Sequence, residues 1–200
     1  MDYSIYLDMD DVVAAFRRHC EAFFAKEADG SWNFYEQWGM TTDQFWSEID
    51  EDPFFWSHMP KTPQCDELVN LVETVDPDFK ILTCPHDHEQ CYAGKYYWAK
   101  KHLGFDNVAR RLILDGAKWE RSKVGRILID DKPDNITKWK SGGGIGILWP
   151  ADWNDNKGKD GIELVKSKLA GLDIVNGQFD KPFIRKDEKW FADPTEEKIT

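Results

Sequence analysis

Tyr-Ser-Ile-Tyr-Leu-Asp-Met-Asp-Asp, residues 3–11, is the stretch from which the rest of the chain can be interpreted. A short run rich in β-forming residues leads directly into Asp8, Asp10 and Asp11, a pattern typical of a buried strand that ends at a charged site. Side chains alternate along an extended backbone, so Asp8 and Asp10 would leave the same face and could share one cation. An acidic turn is the alternative, because Asp is common in turns. The stretch alone leaves both interpretations open.

Length, charge and composition narrow the class of protein. Two hundred residues with 41% hydrophobic content suit one domain, or one domain with an inserted lobe. The net charge of −11 and the lack of a long Lys/Arg run disfavour a nucleic acid polymer as partner. No apolar run approaches about 20 residues and no signal peptide begins the chain, so we expect a soluble, cytoplasmic protein that binds no membrane. Four cysteines without a CxxC pair fit reduced thiols.

Strand and helix patterns alternate along the chain. Apolar periodicity predicts helices at residues 12–26, 64–75, 90–103 and about 161–169, and Thr41 marks a further helix start. Short apolar runs predict strands at 79–84, 111–114, 126–131 and 145–149. The alternation predicts an α/β fold, a Rossmann-like parallel sheet with helices on both faces.

Polar residues follow several of the predicted strands, where a parallel sheet binds its ligands. They are Asp8 and Asp10, Thr83 and Cys84, and Asp130 and Asp131, with Lys118 in the loop between the third and fourth strands. Carboxylate clusters of this kind suit Mg²⁺, which combines one or two carboxylates with water and substrate phosphate. Hydroxyl and ammonium groups would hold the phosphate oxygens.

Four motifs carry a resemblance to a known family. They are DMDDVVAAF (8–16), ILTCP (81–85), KYYWAKKHLG (95–104) and LIDDKPDN (128–135). Asp8-Met9-Asp10, Thr83, Lys118 and Ile129-Asp130-Asp131 resemble the four motifs of the haloacid dehalogenase superfamily. More narrowly, the four stretches resemble the 5'(3')-deoxyribonucleotidases, which dephosphorylate nucleoside monophosphates, often deoxypyrimidine ones. The similarity spans roughly residues 3–150. It implies a Mg²⁺-dependent phosphoric monoester hydrolase whose partner is a small phosphate substrate.

The resemblance assigns catalytic roles that the chemistry supports. Asp8 would attack phosphorus and form an aspartyl-phosphate, and Asp10 would protonate the leaving oxygen and later deprotonate water. Thr83 and Lys118 would stabilise charge on the equatorial phosphate oxygens.

The metal would be held by the same acidic edge. Asp8, the backbone carbonyl of Asp10, and Asp130 are the implied Mg²⁺ ligands. Asp131 completes the metal site by orienting Lys118 or a metal-bound water.

The resemblance also implies a helical cap at residues 17–62, inserted after the first strand, on a core of residues 1–16 and 63–200. Residues 16–60 hold 12 of the 28 aromatic residues, and cap aromatics would enclose the base. The predicted substrate-binding residues are Phe16, Phe34, Trp46, Phe55 and Trp56, with Cys84 at the phosphate end. The alternative is that these aromatics form the cap's own core.

Two residues depart from the family pattern. Asp11 stands where the family usually has a small residue, often glycine, and would add negative charge near the phosphate or point away. Cys84 replaces a frequent serine, and a thiol donates a weaker hydrogen bond.

Other candidate sites are less specific. The spacing of Cys84, His86, His88 and Cys91 matches no standard zinc site, which favours a polar loop. Lys95 is interpreted as part of a solvated helix face with Lys100 and Lys101, although Lys95 could reach the substrate.

The function alternatives are a phosphatase of the same fold for another small phosphomonoester or a nucleic-acid end, and a non-catalytic nucleotide-binding protein. The sequence leaves open whether the protein forms a homodimer.

Overall fold

A five-stranded parallel sheet forms the centre of the fold. The computed structural model describes residues 3–105 and 107–172, and the backbone of residues 183–186 and 189–192. The strands are β1 Ser4–Leu7, β2 Lys80–Thr83, β3 Leu112–Leu114, β4 Arg126–Asp130 and β5 Ile145–Leu148. Their order is β3-β2-β1-β4-β5 and all four pairings are parallel. The predicted α/β parallel sheet is confirmed.

Helices connect the strands. They are α1 Phe16–Phe24, α2 Thr42–Asp50, α3 Phe55–His58, α4 Cys65–Val75, α5 Glu89–Leu103, α6 Val108–Arg111, α7 Pro133–Ser141 and α8 Gly161–Ala170, with 3-10 turns at Glu36–Trp38 and Lys118–Arg121. A separate antiparallel pair joins β6 Phe183–Lys186 to β7 Lys189–Ala192. None of the helices in the described ranges combines the length and apolar character needed to cross a bilayer. The remaining residues after 172, where the sequence is an irregular mixture of acidic and basic residues, lie outside the described residues.

The two faces of the sheet bury different residues because strand side chains alternate. Ile5 and Leu7 of β1 belong to the larger core cluster, which also contains buried residues of α4 and α8. Tyr6 belongs to a second cluster with Ile136 and Trp139 of α7. Helices therefore cover both faces, as the alternating pattern predicts.

The first helix begins later than its apolar pattern predicts. The backbone N–H groups of Val12, Val13 and Ala14 all donate to the carbonyl of Met9, which forms a tight turn. The predicted helix at 12–26 therefore starts at Phe16. The predicted strand at 111–114 likewise starts one residue later, since Arg111 ends α6.

The segment between β1 and β2 packs against α5. Trp98 of α5 donates its indole N–H to the carbonyl of Met59 at 2.7 Å. At Gly94, a Cβ would lie 2.4 Å from the Cβ of Trp56, so α3 approaches α5 closely there. The division into a core (1–16 and 63–200) and a cap (17–62) stays a prediction.

Candidate active site

The loop after β1 fixes one oxygen of Asp8. Its Oδ1 accepts a hydrogen bond from the backbone N–H of Met9 at 2.7 Å and lies 2.6 Å from the Nζ of Lys118. Within the described residues, Oδ2 has no hydrogen-bond donor. The Asp8 side chain is nearly buried but lines a cavity, so its free oxygen is available to a ligand.

Lys118 joins Asp8 to the end of β4. It opens the 3-10 turn after β3, and its Nζ also lies 2.7 Å from the Oδ2 of Asp130. Burial opposes the charge on this ammonium, but the carboxylates of Asp130 and Asp8 outweigh burial and raise the pKa of Lys118. Asn135 of α7 donates to both Asp130 oxygens at 3.2 and 3.0 Å. The predicted nucleophile, lysine and metal ligand therefore meet at one point.

The carboxylates at this point could hold a metal ion. One oxygen from each of Asp8, Asp130 and Asp131 lies within 4.8 Å of the others, and all three side chains are buried. Burial raises the pKa of Asp8 to about 7, with Lys118 acting in the opposite direction. Burial, with Asp130 and Asp8 nearby, also raises the pKa of Asp131 well above its ordinary value. A cation among these acids would relieve that cost.

Lys95 lies inside the site, so its interpretation as part of a solvated helix face was wrong. Its side chain is fully buried, and its Nζ donates to the Oδ2 of Asp10 at 2.5 Å and to the Oγ1 of Thr83 at 2.7 Å. Lys95 follows Cys91 by four positions and precedes Trp98 by three, which are both buried. A lysine on the apolar face of a helix is the sequence signal that identifies such a residue.

The charges of the site leave a deficit of positive charge. Four carboxylates face two ammonium groups, those of Lys95 and Lys118. The carboxylates belong to Asp8, Asp10, Asp130 and Asp131. When all four carboxylates are ionised, as cation binding requires, two negative charges are left over, which is the charge that one divalent cation compensates. The donor set is all oxygen, as Mg²⁺ prefers.

A cavity of about 500 Å³ opens above these residues. Its wall includes the acids Asp8, Asp10 and Asp131 with Lys118. It also includes most of the predicted substrate-binding residues, namely Phe16, Phe34, Trp46, Trp56 and Cys84. Thr83 and Asp130 are fully buried behind this wall and act on it through Lys95 and Lys118.

Parallel rings form the aromatic side of the cavity. Phe16 stacks on Trp56 at 5.5 Å between ring centroids with planes 14° apart. Trp46 lies 6.1 Å from Trp56 and 4.5 Å from His86, again nearly parallel. His86 forms a 3.1 Å contact with Asp50 of α2, so the two histidines predicted in a polar loop lie near a carboxylate. A flat ligand would meet flat, apolar surfaces here.

Phe55 needs a correction. It is fully buried, it is not part of the cavity wall, and it packs 4.6 Å from His19 and 5.3 Å from Phe23. It also meets Phe16 edge to face at 6.1 Å. Phe55 therefore packs behind Phe16 and does not face the cavity. This agrees with the alternative that some of these aromatics form the core of the predicted cap.

Asp11 occupies a backbone position that favours glycine. Its φ of 56° lies in the left-handed region, which Gly adopts freely and which Asp tolerates better than most residues. Its Oδ1 accepts from the backbone N–H of Arg17 at 2.9 Å, at the positive end of α1. Burial raises the pKa of Asp11 to about 7. Asp11 lines the cavity, as expected for a charge near the phosphate, and its Oδ1 is also directed to the start of α1. Each of the two directions predicted for this side chain is therefore correct in part.

Comparisons with known proteins find two sequence relatives and a set of solved structural neighbours. No family model matches the chain. The chain is 31% identical over 140 residues to a "Putative 5'(3')-deoxyribonucleotidase" of Bordetella pertussis, covering 64% of this chain and 74% of that protein. A protein of the same name from Bordetella bronchiseptica is 34% identical over 82 residues, 40% of this chain and 42% of that one. A "putative HAD-hydrolase" from Bacillus subtilis, solved with magnesium, has a TM-score of 0.49 at 12% identity, covering 84% and 99% of the two chains.

The longer match decides the family, because it extends over about three quarters of the Bordetella pertussis relative. The chain belongs to the 5'(3')-deoxyribonucleotidase-like family of haloacid dehalogenase superfamily hydrolases and is a phosphoric monoester hydrolase.

Proposed function

We propose that the protein is a Mg²⁺-dependent phosphomonoesterase that hydrolyses (deoxy)nucleoside monophosphates to nucleoside and phosphate through an aspartyl-phosphate. One observation carries the proposal. The same cavity is lined by Asp8, whose Oδ2 accepts no hydrogen bond within the described residues, and by the stacked rings of Phe16, Trp46 and Trp56. A phosphate joined to a flat base offers the two chemical groups that such a cavity would bind.

In the first step, Asp8 Oδ2 attacks phosphorus and the bond from phosphorus to the sugar oxygen breaks. Lys118 holds the other oxygen of Asp8, which orients the nucleophile. Asp10 donates a proton to the departing sugar oxygen. In the second step water attacks the aspartyl-phosphate, gives its proton to Asp10, and releases phosphate from Asp8.

Lys95 and Thr83 take supporting roles in this proposal. Lys95 orients the Asp10 carboxyl through its 2.5 Å contact and links it to the hydroxyl of Thr83. This differs from a direct contact between Thr83 and phosphate, which was the role expected from the motif.

Mg²⁺ would be held by Asp8, Asp130 and the carbonyl of Asp10, with Asp131 beside it. When bound, it supplies positive charge that neutralises the phosphate and lets an anionic nucleophile approach. Asn135 and the backbone N–H of Lys132 keep Asp130 in place for this role.

The proposed function also bears on the type of substrate and on the compartment in which the protein acts. The substrate would be a small molecule, and a cytoplasmic location stays a prediction. The four cysteines are free thiols, in keeping with a reducing compartment.

A panel of phosphomonoesters assayed with Mg²⁺ and with EDTA tests the proposal. We expect hydrolysis of nucleoside monophosphates with Mg²⁺ only, and weaker hydrolysis of an ester that lacks a base. Asp8→Asn should lower kcat at least about 10³-fold without unfolding the protein, because it removes the nucleophile. Asp134→Asn is the matched control, since Asp134 is an exposed acid on the same cavity wall.

The panel also separates the alternatives. Preference for a non-nucleotide would favour the same-fold phosphatase for another ester. No turnover by metal-loaded protein would favour a non-catalytic nucleotide-binding protein, and activity that survives in Asp8→Asn would refute the nucleophile.

A further inference from the structure

Lys132 is a cation of the cavity wall that the proposed reaction does not use. It follows Asp131 directly and precedes Pro133, the first residue of α7. Its backbone N–H donates to Asp130, and its side-chain Nζ lies 4.5 Å from the ring centroid of Trp32. Both residues line the cavity, so the ammonium stands within reach of a bound ligand.

The neighbouring cations are already neutralised. Lys118 contacts two carboxylates and Lys95 contacts Asp10. Lys138, which also lines the cavity and lies over Trp119, forms a 2.7 Å ion pair with Asp134. For Lys132, no carboxylate of the described ranges lies within 4 Å of its Nζ. Its partner is the face of an indole, which holds a cation without cancelling its charge.

The placement of this charge is informative because the protein is acidic. The chain carries a net charge of −11, and Asp8, Asp10, Asp11 and Asp131 line the same cavity. Charges within about 8 Å interact appreciably at physiological salt, so a ligand with a second negative group would be repelled unless a local cation offsets the acids. Lys132 is positioned to provide that offset on the wall that Trp32 forms.

We propose that Lys132, held over Trp32, binds a second anionic group of the substrate, so that nucleoside bisphosphates are bound in preference to monophosphates. The inference rests on the proposed nucleotidase function and deepens it by naming the substrate class. The second phosphate would contact the ammonium of Lys132 while the reacting phosphate lies at Asp8. If Lys132 bound only the reacting phosphate, one- and two-phosphate ligands would benefit equally.

Calorimetric binding to Asp8→Asn with Mg²⁺ tests this without hydrolysis. The probes are thymidine 5'-monophosphate and thymidine 3',5'-bisphosphate, which share base and sugar. We expect the bisphosphate to bind about 5- to 10-fold more tightly, as about 1 kcal/mol from one partly exposed charge contact implies. Adding Lys132→Met should reverse the order, because the cavity acids then repel the extra phosphate.

Lys140→Met is the matched control, since Lys140 is exposed on α7 and does not line the cavity. This variant should keep the bisphosphate preference. Equal affinities for the two probes, a ratio that Lys132→Met leaves unchanged, or no binding of either probe would overturn the proposal. A failure of the nucleotidase proposal is seen separately, as absence of thymidine 5'-monophosphate hydrolysis by the unmodified enzyme with Mg²⁺.

Discussion

Lys95 ties together two groups that come from different strands. Its ammonium contacts the carboxyl of Asp10 after β1 and the hydroxyl of Thr83 at the end of β2. It also lies 5.2 Å from the ring centroid of Trp56, in the aromatic wall. One buried side chain thus connects Asp10, Thr83 and the aromatic wall of the cavity.

Lys95→Met is expected to lower kcat about 10²-fold or more, because Asp10 loses the partner that holds it in position. It should also lower the free energy of unfolding by up to about 3 kcal/mol, since an acid is left without its charge partner in a largely buried site. Phosphate release kinetics and urea unfolding would measure the two effects. Lys100→Met, an exposed position on α5, is the control, and an equal loss there would contradict the assignment.

Sequence patterns located most individual site residues because each follows a strand. Asp8, Asp130 and Thr83 lie where the short apolar runs stop, and parallel pairing brings those ends to one edge. Lys95 comes from the middle of a helix, where no strand end marks it. The sequence could not show whether Phe55 or Trp56 lines the cavity. Adjacent helix residues point in different directions, and which of them faces the cavity depends on how α3 packs.

Among the secondary-structure elements, the close packing of α3 on α5 fixes the position of the aromatic wall. Gly94 leaves room for Trp56. Thr41 caps α2 and forms a capping box with Gln44, as the start signal in the sequence predicted. The start of α1 was predicted too early because the backbone N–H groups of residues 12–14 donate to the carbonyl of Met9. These residues therefore form a turn and not the first turn of the helix. Local signals therefore identified the element with its own cap and failed where the loop geometry of the site takes priority.

Gly94→Ala should destabilise the protein by up to about 2 kcal/mol. Alanine favours a helix by about 1 kcal/mol, but a methyl group 2.4 Å from the Cβ of Trp56 forces α3 away, and overpacking costs about 1–3 kcal/mol. Urea unfolding measures the change, and KM for the substrate should rise because Trp56 lines the cavity. Ala93→Gly, exposed on the same helix, should lose about 1 kcal/mol from propensity alone with no change in KM. A more stable Gly94→Ala protein would contradict the close approach.

At the scale of the whole molecule, the buried acids make the stability of the fold depend on pH. Without metal, folded Asp8 keeps its proton up to about pH 7, whereas its ordinary pKa is 3.8. The folded state therefore binds more protons than the unfolded state between these values, and stability falls as pH rises through that window. A divalent cation needs the ionised carboxylates, so its contribution grows over the same window.

Mg²⁺ should therefore raise the thermal midpoint Tm by several degrees at pH 8 and by much less at pH 5.5. Differential scanning calorimetry with Mg²⁺ and with EDTA at both pH values measures this. Asp131→Asn should reduce the effect at pH 8, while Asp134→Asn, outside the acidic cluster, should not. An equal Mg²⁺ effect at both pH values would show that the cluster is not the binding site.

The central place of β1 in the sheet has a consequence for how the enzyme is made. Both neighbours of β1 are synthesised later, β2 from Lys80 and β4 from Arg126, so the first strand to be made has no partner on its second edge until β4 has been made. Contacts between residues far apart in sequence form slowly, and Asp10 lies 85 positions before Lys95. A nascent or refolding chain whose second half is missing has apolar strand surface but no assembled site. Phosphatase activity would then serve as a readout of completed folding, and it cannot return before β1 joins β4.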